Sequence, residues 1–347
     1  MRKLLIFMIL VVLFVTPVSA LDLEAPSVPE EASIFMPSEP ENLAEALLEM
    51  IRDGILYCRP DLKEAVRISI GVLAVVMLLS VLRNISGSAA KYGDVVSAVS
   101  IALLLFQASN SMLNLGLHVV AEICIYGKLL LPVMATALAA QGGITGSAAI
   151  YTAGALFSTV MSTLISEFLT PLIYLYLTFG IGNAAIGTEI LKRFQDSIKS
   201  IMTWTLKTIL YIFTGYITIT GVISGTTDAA ALKAAKLTIS SVVPVVGGIL
   251  SDASETILVS AATVKNAAGI YGLFAILSIW IGPFLKIGCH YLMLKGLGAL
   301  CGIFSGKNTA SLIESFSVAM GYVLAMTGSV CLMLLVNTIC FMKGVTL

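Results

Sequence analysis

From residue 66 onward the chain is a succession of long apolar runs separated by short polar breaks. That pattern decides its fold class. Hydrocarbon leaves no water to pair with backbone N–H and C=O groups, so only α-helices and closed β-barrels cross a bilayer. A barrel strand needs about 9–11 residues of alternating character, and the runs here are longer and do not alternate. The expectation is all-α: a polytopic α-helical membrane protein with about 7–8 membrane segments. Charge agrees, at 12% of residues against about 25% in soluble domains.

The same composition excludes several functions. Twenty basic residues balance twenty acidic ones, which leaves no electrostatic footprint for nucleic acid. The six cysteines have no ligand-like spacing, and only Cys58 stands outside the apolar body. His118 and His290 alone cannot build a zinc site, so no metal or other cofactor is expected. No phosphate-binding loop, dinucleotide fingerprint or nucleophile elbow occurs. The chain therefore reads as a non-enzyme, and an ATP-driven process would draw its motor from another protein.

Taken in order, residues 1–20 read as a cleavable signal peptide. Arg2 and Lys3 precede an apolar core, and Thr16 to Ala20 supply a small-residue cleavage site. Residues 21–65 form an acidic extracytoplasmic segment, with eleven acidic against three basic residues. Within it Leu43, Leu47, Met50, Ile51 and Ile55 give a short helix one apolar side. Such a stripe must pack on something, so Leu43, Leu47, Ile51 and Ile55 are partner-binding candidates. Asp61 and Glu64 have capping-box spacing ahead of a first span near 66–82. Arg83 and Lys91 then mark a cytoplasmic loop.

Residues 66–140 hold the first membrane helices, with 94–140 long enough for two. In that stretch Gln107, Asn110, Asn114 and His118 recur at spacings of three and four, one helix face. Interhelical hydrogen bonding or a water-facing stripe would account for them. Spans near 148–168 and 171–185 follow. An amphipathic cytoplasmic-surface helix at 189–203 leads to a span near 209–223. Residues 240–264 are different: Pro244, Gly247 and Gly248 interrupt an apolar run that then carries Asp252 and Glu255. Intramembrane carboxylates are costly unless paired or functional, so this element is expected to be a broken or re-entrant helix. A plain connector between spans is the alternative. Further spans are expected near 268–289, interrupted by Pro283, and near 316–340.

Short matches suggest an internal repeat. Pro171-Leu172-Ile173 parallels Pro283-Phe284-Leu285, and Gly142-Gly143-Ile144 parallels Gly247-Gly248-Ile249. Units at 141–225 and 226–347 with three membrane segments each would be inverted relative to one another, as in many secondary transporters. If 240–264 crosses fully, Lys286, Lys295 and Lys307 face outward. If it re-enters, they face the cytoplasm.

The segment Val242 to Ile257, with the signal-like start, the acidic segment and the many spans, resembles the stage III sporulation protein AE family over roughly residues 40–345. The resemblance implies a multi-pass protein of the mother-cell membrane around the forespore, in endospore-forming bacteria. It also implies that the acidic segment faces the intermembrane space. Its partners would be the other stage III sporulation A proteins, both membrane and ring-forming components, and indirectly an ATPase. Their assembly resembles a specialised secretion system, and the resemblance supplies no catalytic residues. Three functions stay open: a conduit or transport subunit of that assembly, a membrane scaffold that organises it, and an independent small-solute transporter. On the conduit reading Asp252, Glu255, Gln107, Asn110, Asn114 and His118 are the pore candidates, and Pro171, Pro244, Gly247, Gly248 and Pro283 the helix-break candidates.

Overall fold

The computed structural model describes residues 25–37, 43–85, 90–141, 143–242, 247–304 and 307–343, without side chains for 43–44, 79–80, 82–94, 218–265, 304 and 307. Every regular element among them is helical. A single turn, α1 (Glu30–Ser33), and the amphipathic α2 (Leu43–Tyr57) precede α3 (Arg59–Ile85), α4 (Ala90–Ala140) and α5 (Ile144–Thr163). A π-helical segment (Leu164–Leu169) joins α5 to α6 (Thr170–Ile186), and α7 (Glu189–Val242), α8 (Gly247–Phe304) and α9 (Lys307–Lys343) complete the order.

The helices are fewer and longer than the hydropathy breaks suggest. Residues 94–140, read as two spans, lie in one helix of 51 residues, about 77 Å at 1.5 Å per residue. Pro132 sits inside it without ending it. The spans read at 148–168 and 171–185 are likewise one rod. Pro171 has no N–H and its ring crowds the carbonyl four residues back, and the π-helical segment directly before it accommodates both effects. The Thr170 hydroxyl donates to the Ile165 carbonyl at 2.8 Å within that segment. The polar breaks were therefore polar side chains on continuous helices, not turns.

Farther along, the amphipathic stretch at 189–203 is the start of α7 and not a separate surface helix. Gly187, at φ 72°, makes the left-handed cap that turns the chain from α6 into it. The helix ends at Val242 and the next begins at Gly247, on either side of the position expected to break. Pro244 itself lies outside the described residues. From Gly247 one helix runs to Phe304 through Pro283, so 247–264 and the span expected at 268–289 are parts of the same element.

Among the described residues, four helical stretches are long and apolar enough to cross a membrane: Val95–Ala140, Ile144–Ile186, Asn266–Ile303 and Asn308–Lys343. At 36 to 46 residues they are about 54–69 Å long, roughly twice the 30 Å hydrocarbon core. The expected span at 66–82 is the body of α3. The chain is thus an all-α, polytopic membrane protein.

Lipid supplies little hydrophobic drive between helices, so close approach at small residues does much of the packing. Helices α4, α8 and α9 form the centre, with Leu105, Ile123, Leu130, Ile276, Ile287, Phe316, Val323 and Phe341 buried between them and their neighbours. A Cβ on Gly154 of α5 would collide with the Asn337 side chain of α9 and meet Leu131 of α4 at 2.8 Å. Polar pairs tie α7 to α9: Gln195 donates to the Ser315 hydroxyl at 2.8 Å, and the Tyr322 hydroxyl donates to the Lys199 carbonyl at 2.9 Å.

The amino-terminal segment docks on α8. Phe35, Ala46 and Met50 form a second buried cluster with Phe274 and Ile281, and Leu47, Trp280 and Leu285 pack against it. Gly282 admits the Phe35 ring, and Gly54 admits Leu285, where a Cβ would collide. Of the apolar stripe expected on α2, Leu47 joins this contact while Ile51 and Ile55 remain exposed. The side chain of Leu43 lies outside the described residues.

Gly154→Val should separate α5 from α4 and α9 and cost about 1–3 kcal/mol. Gly215→Val, where no atom lies within 4 Å of a new Cβ, should be nearly neutral. Thermal unfolding of the two variants in detergent checks the contrast, with a lower midpoint expected for Gly154→Val alone.

Candidate functional site: a charged cavity between three helices

Three helices bring polar side chains to one place. At the start of α3, Pro60 occupies the first turn, where its missing N–H costs nothing, and Asp61 and Glu64 follow on one face. Helix α8 contributes Lys286, Cys289 and His290 at i, i+3 and i+4. Helix α4 contributes Ala108, Ser111 and Met112 at the same spacing. These residues, with Ala65 and Ile68, line a cavity of about 140 Å³.

The cavity carries charge. Lys286 Nζ lies 2.8 Å from Asp61 Oδ1, with each side chain 26% exposed. Breaking a pair this sheltered leaves one charge poorly solvated, which is the costly case. Glu64 is exposed and has no ion-pair partner among the described residues. His290 is buried at 6% exposure, and its Nε2 has no hydrogen-bond partner. Buried polar atoms are nearly always paired, so an orphan of this kind calls for an explanation.

A smaller cavity of about 60 Å³ adjoins it through Lys286, lined also by Glu31, Phe35, Tyr57, Leu115, Glu122, Ser278, Ile279 and Pro283. Pro283 does not interrupt α8. Having no N–H, it leaves the Ile279 carbonyl without its helical donor, beside this second cavity. Nearby, Cys58 is buried with its thiol 3.8 Å from the Gly282 carbonyl. Burial, reinforced by Cys289 and Asp61 and opposed by Lys286, pushes that thiol up to about 11. It is an unreactive packing cysteine.

The residues singled out from the sequence lie mostly around this site, not in it. Asn110 accepts a hydrogen bond from the Tyr174 hydroxyl at 2.6 Å, a tie between α4 and α6. Gln107 and Asn114 are exposed. His118 is 58% exposed, with Nε2 3.5 Å from Glu122 Oε1 on the next turn. The cavity is lined one step round α4, by Ala108, Ser111 and Met112. Gly247 and Gly248 open α8, and Asp252 and Glu255 lie just inside it, their side chains outside the described residues. Pro171 starts α6.

Asp61 and Glu64 were legible in the sequence only as helix-start residues. The helix begins two residues earlier, at Arg59, so Asp61 is no cap and its carboxylate is released to Lys286. A signal for the α8 half existed: Lys286 and His290 at i, i+4 inside an apolar run are an expensive pair to place in a membrane protein. Among the described residues, no group of three or more His, Cys, Asp or Glu could hold a metal ion.

Comparison with known proteins bears on what such a site serves. The family model described as stage III sporulation protein AE matches residues 39–344. A relative of that name from Bacillus subtilis (strain 168) is 24% identical over 234 residues, covering 67% of this chain. The match spans 59% of that relative's own length, less than two thirds. No solved structure matches.

The ion pair predicts a charge-swap result. Asp61→Lys or Lys286→Asp alone should destabilise the protein by about 1–3 kcal/mol, since each leaves like charges facing across the cavity. The double swap should recover part of that loss. Thermal inactivation and membrane abundance of the three variants are the readouts, and no recovery in the double variant would count against the pairing.

Proposed function

The chain belongs to the stage III sporulation protein AE family, and on that premise we propose that it is a conduit or transport subunit of the assembly linking mother cell and forespore. The family is one of non-catalytic membrane proteins, which leaves passage or organisation as the work to be done. On this reading the protein sits in the mother-cell membrane around the forespore with residues 21–65 in the intermembrane space. Its partners are the other stage III sporulation A proteins, with an ATPase acting through them.

The observation that carries the conduit reading is the charged cavity itself. Ionisable groups are expensive among membrane helices, and they recur on substrate and ion pathways. Here Asp61, Glu64 and Lys286 surround a space large enough for a small solute, between three helices that would have packed more cheaply without it. Asp252 and Glu255, near the start of α8, stay pore candidates on this reading. The docking of Phe35, Met50 and Cys58 on α8 next to Lys286 supports the full-crossing topology, in which Lys286 shares the side of the amino-terminal segment.

One observation favours the scaffold reading. Leu48, Ile51 and Ile55 are 68%, 40% and 54% exposed on α2, an apolar strip outside the bundle available to another subunit. An independent solute transporter draws no separate support.

Removing both charges of the pair together separates the readings. Asp61→Asn with Lys286→Gln keeps shape and leaves neither member of the pair as a lone charge, so the double variant should accumulate normally in the membrane. If the cavity conducts, spore yield should fall by about tenfold or more, as expected for a charged group on a pathway. Normal spore yield at normal abundance contradicts the conduit reading and favours the scaffold.

A further inference from the structure

The geometry points to a specific occupant: we propose that the cavity between α3, α4 and α8 binds a small organic cation bearing a primary ammonium group. The inference rests on the conduit reading for its physiological sense, while the site stands on its own geometry.

Charge sets the sign of the ligand. Asp61, Glu64 and Lys286 line the larger cavity, and Glu31 and Glu122 line the smaller one that shares Lys286. Four carboxylates thus line two cavities that share one ammonium, and that ammonium is committed to Asp61 at 2.8 Å. His118 faces Glu122 from the exposed side of α4 and offsets one carboxylate only when protonated. The balance is negative, and like-signed walls of low dielectric focus the field on a cation. An anion finds no free positive partner among these residues.

Volume sets the size. An apolar cavity of about 150 Å³ accepts benzene, so 140 Å³ suits a solute of about six non-hydrogen atoms. A bare divalent metal is a poor fit, since the described residues offer no cluster of three ligating groups. An ammonium needs no such cage. It needs carboxylates and acceptors within reach of its N–H groups.

Orphan polarity sets the chemistry. Glu64, exposed at the cavity and unpaired among the described residues, takes the ammonium in a charge-assisted bond. His290 is 94% buried, by its 6% exposure, and lines the same cavity, while its unpartnered Nε2 is itself covered. The Ser111 hydroxyl offers hydrogen bonding to the ligand's uncharged end. Ala65, buried in the wall, limits the depth.

The test uses the full chain in lipid nanodiscs, with ethanolamine as probe and potassium chloride at equal ionic strength as control. Ethanolamine should bind saturably by calorimetry and raise the unfolding temperature, and potassium should do neither. Glu64→Gln should weaken ethanolamine binding by about tenfold, as loss of a charge-assisted bond does. Ala65→Leu, which fills the cavity without changing charge, should abolish it. No ethanolamine binding to the wild-type protein overturns the proposal even if a variant fails to fold. Equal effects of potassium, or binding that survives both substitutions, overturn it too. Spore yield reads the conduit reading separately: binding lost in Glu64→Gln with normal sporulation leaves the site standing and removes the conduit.

Discussion

The rest of the structure depends on the rule that backbone polar groups in hydrocarbon must find partners within the protein. An α-helix satisfies that rule for as long as it continues, and each break exposes groups that something else must satisfy. The chain answers by continuing: Ala90–Ala140, Glu189–Val242 and Gly247–Phe304 are 51, 54 and 58 residues long. Even prolines are absorbed, Pro132 and Pro283 inside helices and Pro171 behind a π-helical segment. Rods more than twice the bilayer core in length then carry polar residues somewhere along them.

Those residues meet across helices. Asn110 of α4 meets Tyr174 of α6, Asp61 of α3 meets Lys286 of α8, and Gly116 of α4 lies against Val323 and Thr327 of α9. Apart from Asp61, which stands at the start of α3, each is well inside its rod, and these contacts form a polar belt through the bundle. The charged cavity is the part of that belt where side chains leave a space. The amino-terminal segment lines the adjoining cavity with Glu31, Phe35 and Tyr57, so that segment and the belt are one structural unit.

Much of this was legible in the sequence, and what was not has a physical reason. Hydropathy gives the fold class because the bilayer constrains it directly. Segment boundaries were misplaced because 94–140 is long enough for two spans, yet one continuous helix costs less than a turn with unpaired backbone. The amphipathic side of α2 was visible at Leu47 and Met50, but which surface received it was not, since Phe274 and Ile281 lie more than 200 residues away. The cavity was hidden for the same reason. Asp61, Ser111 and His290 meet only through tertiary packing, and locally Asp61 looked like a cap. The likeness to the sporulation family was carried by Val242 to Ile257, whose side chains lie outside the described residues.

The central claim is that the belt at Asp61, Ser111 and Lys286 is wet and opens on the side of the amino-terminal segment. Single-cysteine labelling tests it most directly, in a chain whose native cysteines are replaced by alanine. Ser33→Cys, at the exposed last residue of α1, reports the side of the segment, and Ser111→Cys reports the cavity. A membrane-impermeant thiol reagent should label both from the same side, with prior ethanolamine slowing only Ser111→Cys. A Ser111→Cys protein of normal abundance that resists the reagent, or reacts only from the side opposite Ser33→Cys, would contradict the account.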